Sequence, residues 1–163
     1  MYLTRRPPGI RSIDFRRRKG YIKLNEIVDS HQEIRQRQVP LKKTILFIED
    51  EEELLGTVGT LLRETGYNVI SVLGAEDALE KLKEGIPDLI LADIKLPGID
   101  GFDFFKRVRA DEHLKRIPFV FLTAYNDLKA SVEAKQQGAQ EYITKPFDVE
   151  FLLARIKQLL PPR

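Results

Sequence analysis

The chain has 163 residues, 42% of them hydrophobic, with no cysteine and a formal net charge of +2. That length supports one compact domain with a short extension and excludes two independent ones. The lack of cysteine excludes a disulfide framework, a thiolate nucleophile and Cys-ligated zinc and fits a cytoplasmic protein, and no apolar run reaches the roughly 20 residues a membrane helix needs.

Charge divides the chain unevenly. Residues 1–42 hold eleven Lys or Arg against four Asp or Glu, whereas residues 43–163 hold sixteen against twenty-one. A basic N-terminal extension, 1–42, ahead of an acidic domain, 43–163, is the expected organisation. Thr4-Arg5-Arg6 has the look of a twin-arginine export signal, but Pro7, Pro8 and Gly9 stand where an apolar segment belongs, so export is excluded. Arg16-Arg17-Arg18-Lys19 forms a basic cluster, and Leu24, Ile27, Val28, His31 and Ile34 recur at helical spacing between Ile22 and Gln38. A solvated arm, partly helical or disordered, is expected. Docking on the domain, dimer pairing and nucleic-acid contact stay open, the last disfavoured because one basic cluster lacks aromatic platforms or a reading motif.

From Lys43 onward, short apolar runs alternate with segments of helical period. Thr44–Glu49 reads as a strand, followed by a helix carrying Leu54, Leu55, Val58, Leu61 and Leu62 inward until Gly66. Tyr67–Val72 is a second strand and Ala75–Glu84 a helix with Ala78, Leu79 and Leu82 inward. Asp88–Ala92 is the third strand, and Phe102, Phe105 and Val108 mark the helix after it. Ile117–Leu122 is the fourth strand, 126–136 a weaker helix, and Glu141–Thr144 the fifth strand. A last helix places Val149, Leu152, Leu153, Ile156, Leu159 and Leu160 on one stripe and ends before Pro161-Pro162. Repeated strand-helix units with short connections imply right-handed crossovers and a parallel sheet covered on both faces. Ligands of such sheets bind beyond the carboxyl ends of the strands.

The residues ending each strand converge on one chemistry. Glu49-Asp50 follow the first strand, Asp93 the third, Thr123 the fourth and Lys145-Pro146 the fifth; the second contributes nothing comparable. Three carboxylates at one edge repel each other and raise a pKa unless a cation lies among them. Oxygen ligands without His or Cys suit a hard ion such as Mg²⁺. A carboxylate nucleophile, a divalent cation, a hydroxyl and a lysine make a phosphoryl-transfer site. Singly, each has a plainer explanation: Glu49 to Glu53 as a solvated helix start, Thr123 as a cap, Lys145 as a surface lysine, Asp93 as turn chemistry before Pro97-Gly98.

As a set, Glu49-Asp50, the segment from Asp93 through Lys95, Pro97 and Gly98 to Gly101, Thr123-Ala124 and Tyr142-Ile143-Thr144-Lys145-Pro146-Phe147 resemble the receiver domain of two-component response regulators, over residues 43–160. The resemblance implies a doubly wound, flavodoxin-like α/β fold with a five-stranded parallel sheet in the order 2-1-3-4-5. It implies Asp93 as phosphoacceptor, charged from a phosphohistidine of a sensor histidine kinase or histidine phosphotransfer protein. Asp50, Asp93 and the backbone carbonyl of Lys95 would ligate Mg²⁺, with Glu49 acting through water; many receivers have Asp where this chain has Glu49. Lys145 would pair with the phosphoryl group, and Lys145-Pro146 would be cis. Thr123 and Tyr142 would form the switch, and Lys95 and Tyr125 would flank the attacking water and slow self-dephosphorylation. The readout would be the surface of the fourth helix, fifth strand and fifth helix, about residues 126–157, offered to a protein partner or a second copy. Lys129, Glu133, Lys135, Glu141, Glu150, Arg155 and Lys157 mark that surface.

Such a protein switches by binding and catalyses nothing beyond its own Mg²⁺-dependent phosphorylation and dephosphorylation. Two rival classes are a non-phosphorylated adaptor on the same fold and an aspartyl-phosphate phosphatase. The latter expects a second Asp two residues after the nucleophile, where this chain has Lys95, and a nucleophile after the first strand. Ser30-His31-Gln32-Glu33 loosely resembles the phosphoacceptor box of sensor histidine kinases. However, Gln32 separates His31 from Glu33, Pro40 lies far off, and no Gly-rich ATP-binding segment is found. Whether the domain acts alone or belongs to a longer protein stays open.

Overall fold

The structure is a computed structural model and describes residues 21–22, 39–124, 136 and 138–160. The chain divides between Leu41 and Lys42. In the first unit, β1 (Tyr21–Ile22) pairs antiparallel with β2 (Val39–Pro40), Tyr21 opposite Pro40 and Ile22 opposite Val39. Ile22, at the start of the segment with helical spacing, lies in a strand. The rest of that expected helix, and His31, lie outside the described residues.

The second unit is built around a five-stranded sheet in which β3 (Thr44–Ile48), β4 (Asn68–Val72), β5 (Leu89–Asp93), β6 (Phe119–Ala124) and β7 (Glu141–Lys145) run in the spatial order β4-β3-β5-β6-β7. All neighbours are parallel. Counted within this sheet, the order is 2-1-3-4-5, the expected one. The described helices are α1 (Glu52–Glu64), α2 (Ala75–Glu84), α3 (Gly101–Ala110) and α4 (Val149–Leu159). The expected helix at 126–136 falls almost wholly outside the described residues.

The central strands β3, β5 and β6 are nearly continuous apolar runs because both faces of the sheet are covered, while the edge strands β4 and β7 carry polar residues as well. Alternate residues of β3 separate cleanly: Leu46 and Ile48 join α2 and α3, whereas Ile45 and Phe47 join α1 and α4. Val69 of β4 faces α1 and Val72 faces the opposite cluster. In α3 the fully buried rings are Phe104 and Phe105, while Phe102 packs half-buried against the same cluster and stacks on Phe121 with centroids 5.2 Å apart. Leu79 is likewise half-buried.

Several strand ends differ from expectation by one or two residues. Pro118 has no N–H, so the ladder begins at Phe119, although the Pro118 carbonyl accepts from Ile90 N at 2.9 Å. At the other end β5 continues through Asp93, paired with Leu122. The α1 end behaves as expected: Gly66 takes φ +101° and its N–H donates to the Arg63 carbonyl at 3.0 Å, a left-handed stop that a side chain would strain.

Candidate functional site

The carboxyl edge of the sheet gathers side chains from β3, β5, β6 and β7. Glu49 directly follows β3 and donates its N–H to the Val72 carbonyl at 3.2 Å, so the backbone ladder holds it. Its side chain is 1% exposed, the deepest carboxylate of the edge. Asp50, next in line, is exposed. Asp93 ends β5 and is buried. Each of the three offers one carboxylate oxygen within 4.8 Å of the others.

Lys145, at the end of β7, closes the cluster. Its Nζ donates to Glu49 Oε2 at 2.7 Å and to Asp93 Oδ2 at 2.5 Å. The other Asp93 oxygen, Oδ1, accepts the Lys95 N–H at 3.0 Å. The Lys145-Pro146 peptide is cis. Burial is the largest influence on Glu49; the Lys145 hydrogen bond opposes it, the charge of Asp93 adds to it, and the carboxyl is pushed up to about 7. Burial works against the Lys145 charge, yet its hydrogen bonds to Asp93 and Glu49 prevail and raise its pKa. One ammonium thus offsets part of a carboxylate cluster that carries more negative charge than it can balance.

The donor set fits Mg²⁺: three carboxylates, no nitrogen or sulfur ligand, one acid exposed and two buried. A hard divalent ion would be held by Asp50 and Asp93 with Glu49 behind, and when bound it supplies positive charge against phosphate oxygens.

Thr123 is fully buried one residue beyond the Asp93 partner Leu122, and its hydroxyl donates to the Ala124 carbonyl at 3.3 Å. Tyr142 lies opposite Phe121 in the ladder, half-buried, with ring centroids 6.5 Å apart, and Thr144 lies opposite Thr123. Lys95 is exposed. Tyr125 lies outside the described residues, as do Lys129, Glu133 and Lys135. On the adjoining surface Glu141 forms an ion pair with Arg155, whose guanidinium stands 5.8 Å from the centroid of the half-exposed Phe151 ring.

The acceptor loop contains residues that the sequence placed in the motif without a role of their own. Ile94 and Leu96 are buried in the α2/α3 cluster, and the Gly101 N–H donates to the Ile94 carbonyl at 2.8 Å. A Cβ on Gly101 would meet the Asp93 carbonyl and stand 2.8 Å from Ile94 Cα, so only glycine lets α3 start this close to the phosphoacceptor candidate. The Asp100 side chain caps α3 by accepting from Asp103 N at 2.8 Å. Three closely spaced loop glycine and proline residues, Pro97, Gly98 and Gly101, were the signal for a tight backbone approach.

A five-stranded doubly wound sheet with acids, hydroxyl and lysine at its carboxyl edge defines an α/β protein of the receiver class. Residues 45–157 match the family model described as "Response regulator receiver domain". The chain belongs to the response regulator receiver family. It is 37% identical over 116 residues to the DNA-binding dual master transcriptional regulator RpaA of Synechocystis, covering 71% of this chain and 48% of that protein. It is 36% identical over 120 residues to the phosphate regulon transcriptional regulatory protein PhoB of Escherichia coli, covering 74% and 52%. The chain thus spans about half the length of the curated relatives it matches. Among solved structures it resembles a putative response regulator from Chloroflexus aurantiacus, with a TM-score of 0.70 and 34% identity over 75% of this chain and 100% of that one. It also resembles the chemotaxis response regulator CheY4 of Vibrio cholerae, with a TM-score of 0.68 and 28% identity over 73% and 99%. No helix among the described residues is long and apolar enough to cross a membrane.

Proposed function

We propose that residues 43–163 form a phosphoacceptor switch in which Asp93 takes a phosphoryl group from the phosphohistidine of a sensor histidine kinase or histidine phosphotransfer protein. An Asp93 oxygen attacks phosphorus, the new O–P bond forms as the P–N bond breaks, and the imidazole leaves and regains a proton. The observation carrying this reading is Lys145 Nζ, 2.5 Å from Asp93 Oδ2 and 2.7 Å from Glu49 Oε2. The ammonium is already beside the atom that would receive the phosphoryl group, where it can follow the charge onto the phosphoryl oxygens. Asp50, Glu49 and the Lys95 carbonyl complete the proposed Mg²⁺ site.

Aspartyl phosphate is nearly dianionic and has more acceptor oxygens than a carboxylate. Thr123 spends its hydroxyl on a 3.3 Å contact to its neighbour's carbonyl, a weak bond that a phosphoryl oxygen can outbid. Its movement would free the space into which Tyr142 turns, shifting the population of the surface formed by residues 126–157 toward a partner-binding state. Glu141, Glu150, Phe151, Arg155 and Lys157 are among the described residues of that surface. The partner is a downstream protein or a second copy of the chain. The name of one relative says that it binds DNA, but the match covers half of that protein. Residues 43–163, with sixteen basic against twenty-one acidic side chains, are not proposed as a nucleic-acid contact. A cytoplasmic location follows from the proposed kinase partner.

The test is incubation with acetyl phosphate and Mg²⁺, read by intact mass. Uptake of one phosphoryl group, abolished by Asp93→Asn, is expected. No uptake by the parent protein would leave a non-phosphorylated adaptor in its place.

A further inference from the structure

The loop from Ile94 to Asp100 has two differently anchored halves. The inner half is held from within: Ile94 and Leu96 are buried, the Lys95 N–H rests on Asp93 Oδ1, and the Gly101 N–H closes on the Ile94 carbonyl. The outer turn, Pro97-Gly98-Ile99, has exposed Pro97 and Gly98 and touches the core through the half-buried Ile99 side chain. Its backbone is tied to α2 by the Ile99 N–H, which donates to Glu76 Oε1 at 3.0 Å.

Glu76 lies in the first turn of α2, where an acid ordinarily complements the helix dipole and points to water. Here it does something more specific. Gly98 has φ +74°, and a Cβ on it would collide with Glu76 Oε1 and stand 3.2 Å from Glu76 Cδ. The carboxylate therefore occupies the space a side chain on residue 98 would take. Two features of separate segments match: a glycine that leaves the space, and an acceptor that fills it and binds the next N–H. A hydrogen bond to a charged acceptor is among the stronger ones, and this one ties α2 to the loop across 23 residues of sequence.

We propose that Glu76 is a positioning residue for the acceptor site, fixing the outer turn of the loop and so supporting from one side the Lys95 backbone that its own N–H bond to Asp93 holds from the other. The inference rests on the reading of Asp93, Asp50 and the Lys95 carbonyl as the Mg²⁺-dependent phosphoacceptor site. Glu76 touches neither phosphoryl group nor ion. It narrows the range of positions open to the loop, so the entropy of ordering the site is met before a ligand arrives.

The test uses the full, isotope-labelled chain with Glu76→Ala and Glu76→Gln, read by amide hydrogen exchange without metal and by Mg²⁺ titration. Glutamine keeps an acceptor at the same reach. In Glu76→Ala the Ile99 amide should exchange about tenfold faster, while α2 amides such as Leu82 keep the parent rate. Mg²⁺ should bind about threefold to tenfold more weakly, at or below the loss typical for groups that orient metal ligands. Glu76→Gln should stay within about twofold of the parent in both. The proposal is overturned if Glu76→Ala leaves either quantity unchanged, if Glu76→Gln is as damaging, or if the parent binds no Mg²⁺. A parent that binds Mg²⁺ yet takes up no phosphoryl group from acetyl phosphate overturns the reading of Asp93 alone, and leaves the role of Glu76 to the exchange and binding results.

Discussion

Lys145 Nζ and Asp93 Oδ2 lie 2.5 Å apart although their residues are separated by 52 positions in sequence. The contact exists because β5 and β7 flank β6 in one parallel sheet, so both strands end at the same edge. Glu49, from β3 on the other side of β5, shares the same ammonium at 2.7 Å.

Removing that ammonium should destabilise the protein. Lys145→Ala leaves Glu49 and Asp93 buried without their cation, and because Lys145 is partly exposed the expected cost is about 1–3 kcal/mol, below that of a fully buried pair. Urea unfolding at pH 8 should show it, and saturating Mg²⁺ should restore part of the loss. An unchanged midpoint would mean that solvent already balances the two acids.

Stability should depend on Glu49 in a definite direction. Its folded pKa is raised from 4.5 to about 7, so the folded state holds a proton that the unfolded state has released. This contribution is fully present below pH 4.5 and is lost as pH rises through about 7. Glu49→Gln should therefore be more stable than the parent at pH 8, by at most about 3 kcal/mol, with the difference vanishing near pH 4.5. Thermal unfolding across that window decides it; a difference that grows on acidification would contradict the assignment.

The same proton should compete with metal. Mg²⁺ requires ionised carboxylates, so its apparent affinity should rise between pH 6 and pH 8 in the parent, and this dependence should flatten in Glu49→Gln. Calorimetric titration at the two pH values is sufficient. Equal affinities for the parent would place the ion away from Glu49.

Gly101→Ala tests the close approach of α3. The added methyl meets the Asp93 carbonyl and Ile94 Cα, which overpacks a region that cannot relax without moving the acceptor strand; a loss of about 1–3 kcal/mol is expected. Gly85→Ala, where a Cβ meets nothing within 4 Å, is the control. Denaturant midpoints that fall equally for both would refute the argument.

Signal transmission should fail before chemistry does in Thr123→Ala. Phosphoryl uptake should persist with a reduced rate, while the amide shifts that a beryllofluoride mimic produces in β7 and α4 should shrink sharply. Parent spectra that do not respond to the mimic over residues 126–157 would remove the switch altogether.

Sequence by itself determined the alternation of strand and helix, because a strand buried on both faces must be apolar along its length, as Ile45–Ile48 and Leu89–Ala92 are. It also carried Glu49, Asp50, Asp93, Thr123 and Lys145 as strand-end residues, since polar groups directly after such runs are conspicuous. Tertiary structure alone decided which of them touch. Lys145 bridges Glu49 and Asp93, Thr123 bonds a neighbour's carbonyl instead of joining them, and Phe104 is buried in the core beside Phe105 while Phe102 packs at its margin. Glu76 gave no signal, for a first-turn acid has the same one-letter appearance whether it faces water or a loop 23 residues away. Periodicity records the partition of side chains between core and solvent, which is local and repeated. Contacts between polar tips depend on strand order, register and a few close backbone approaches, and those are properties of the assembled sheet.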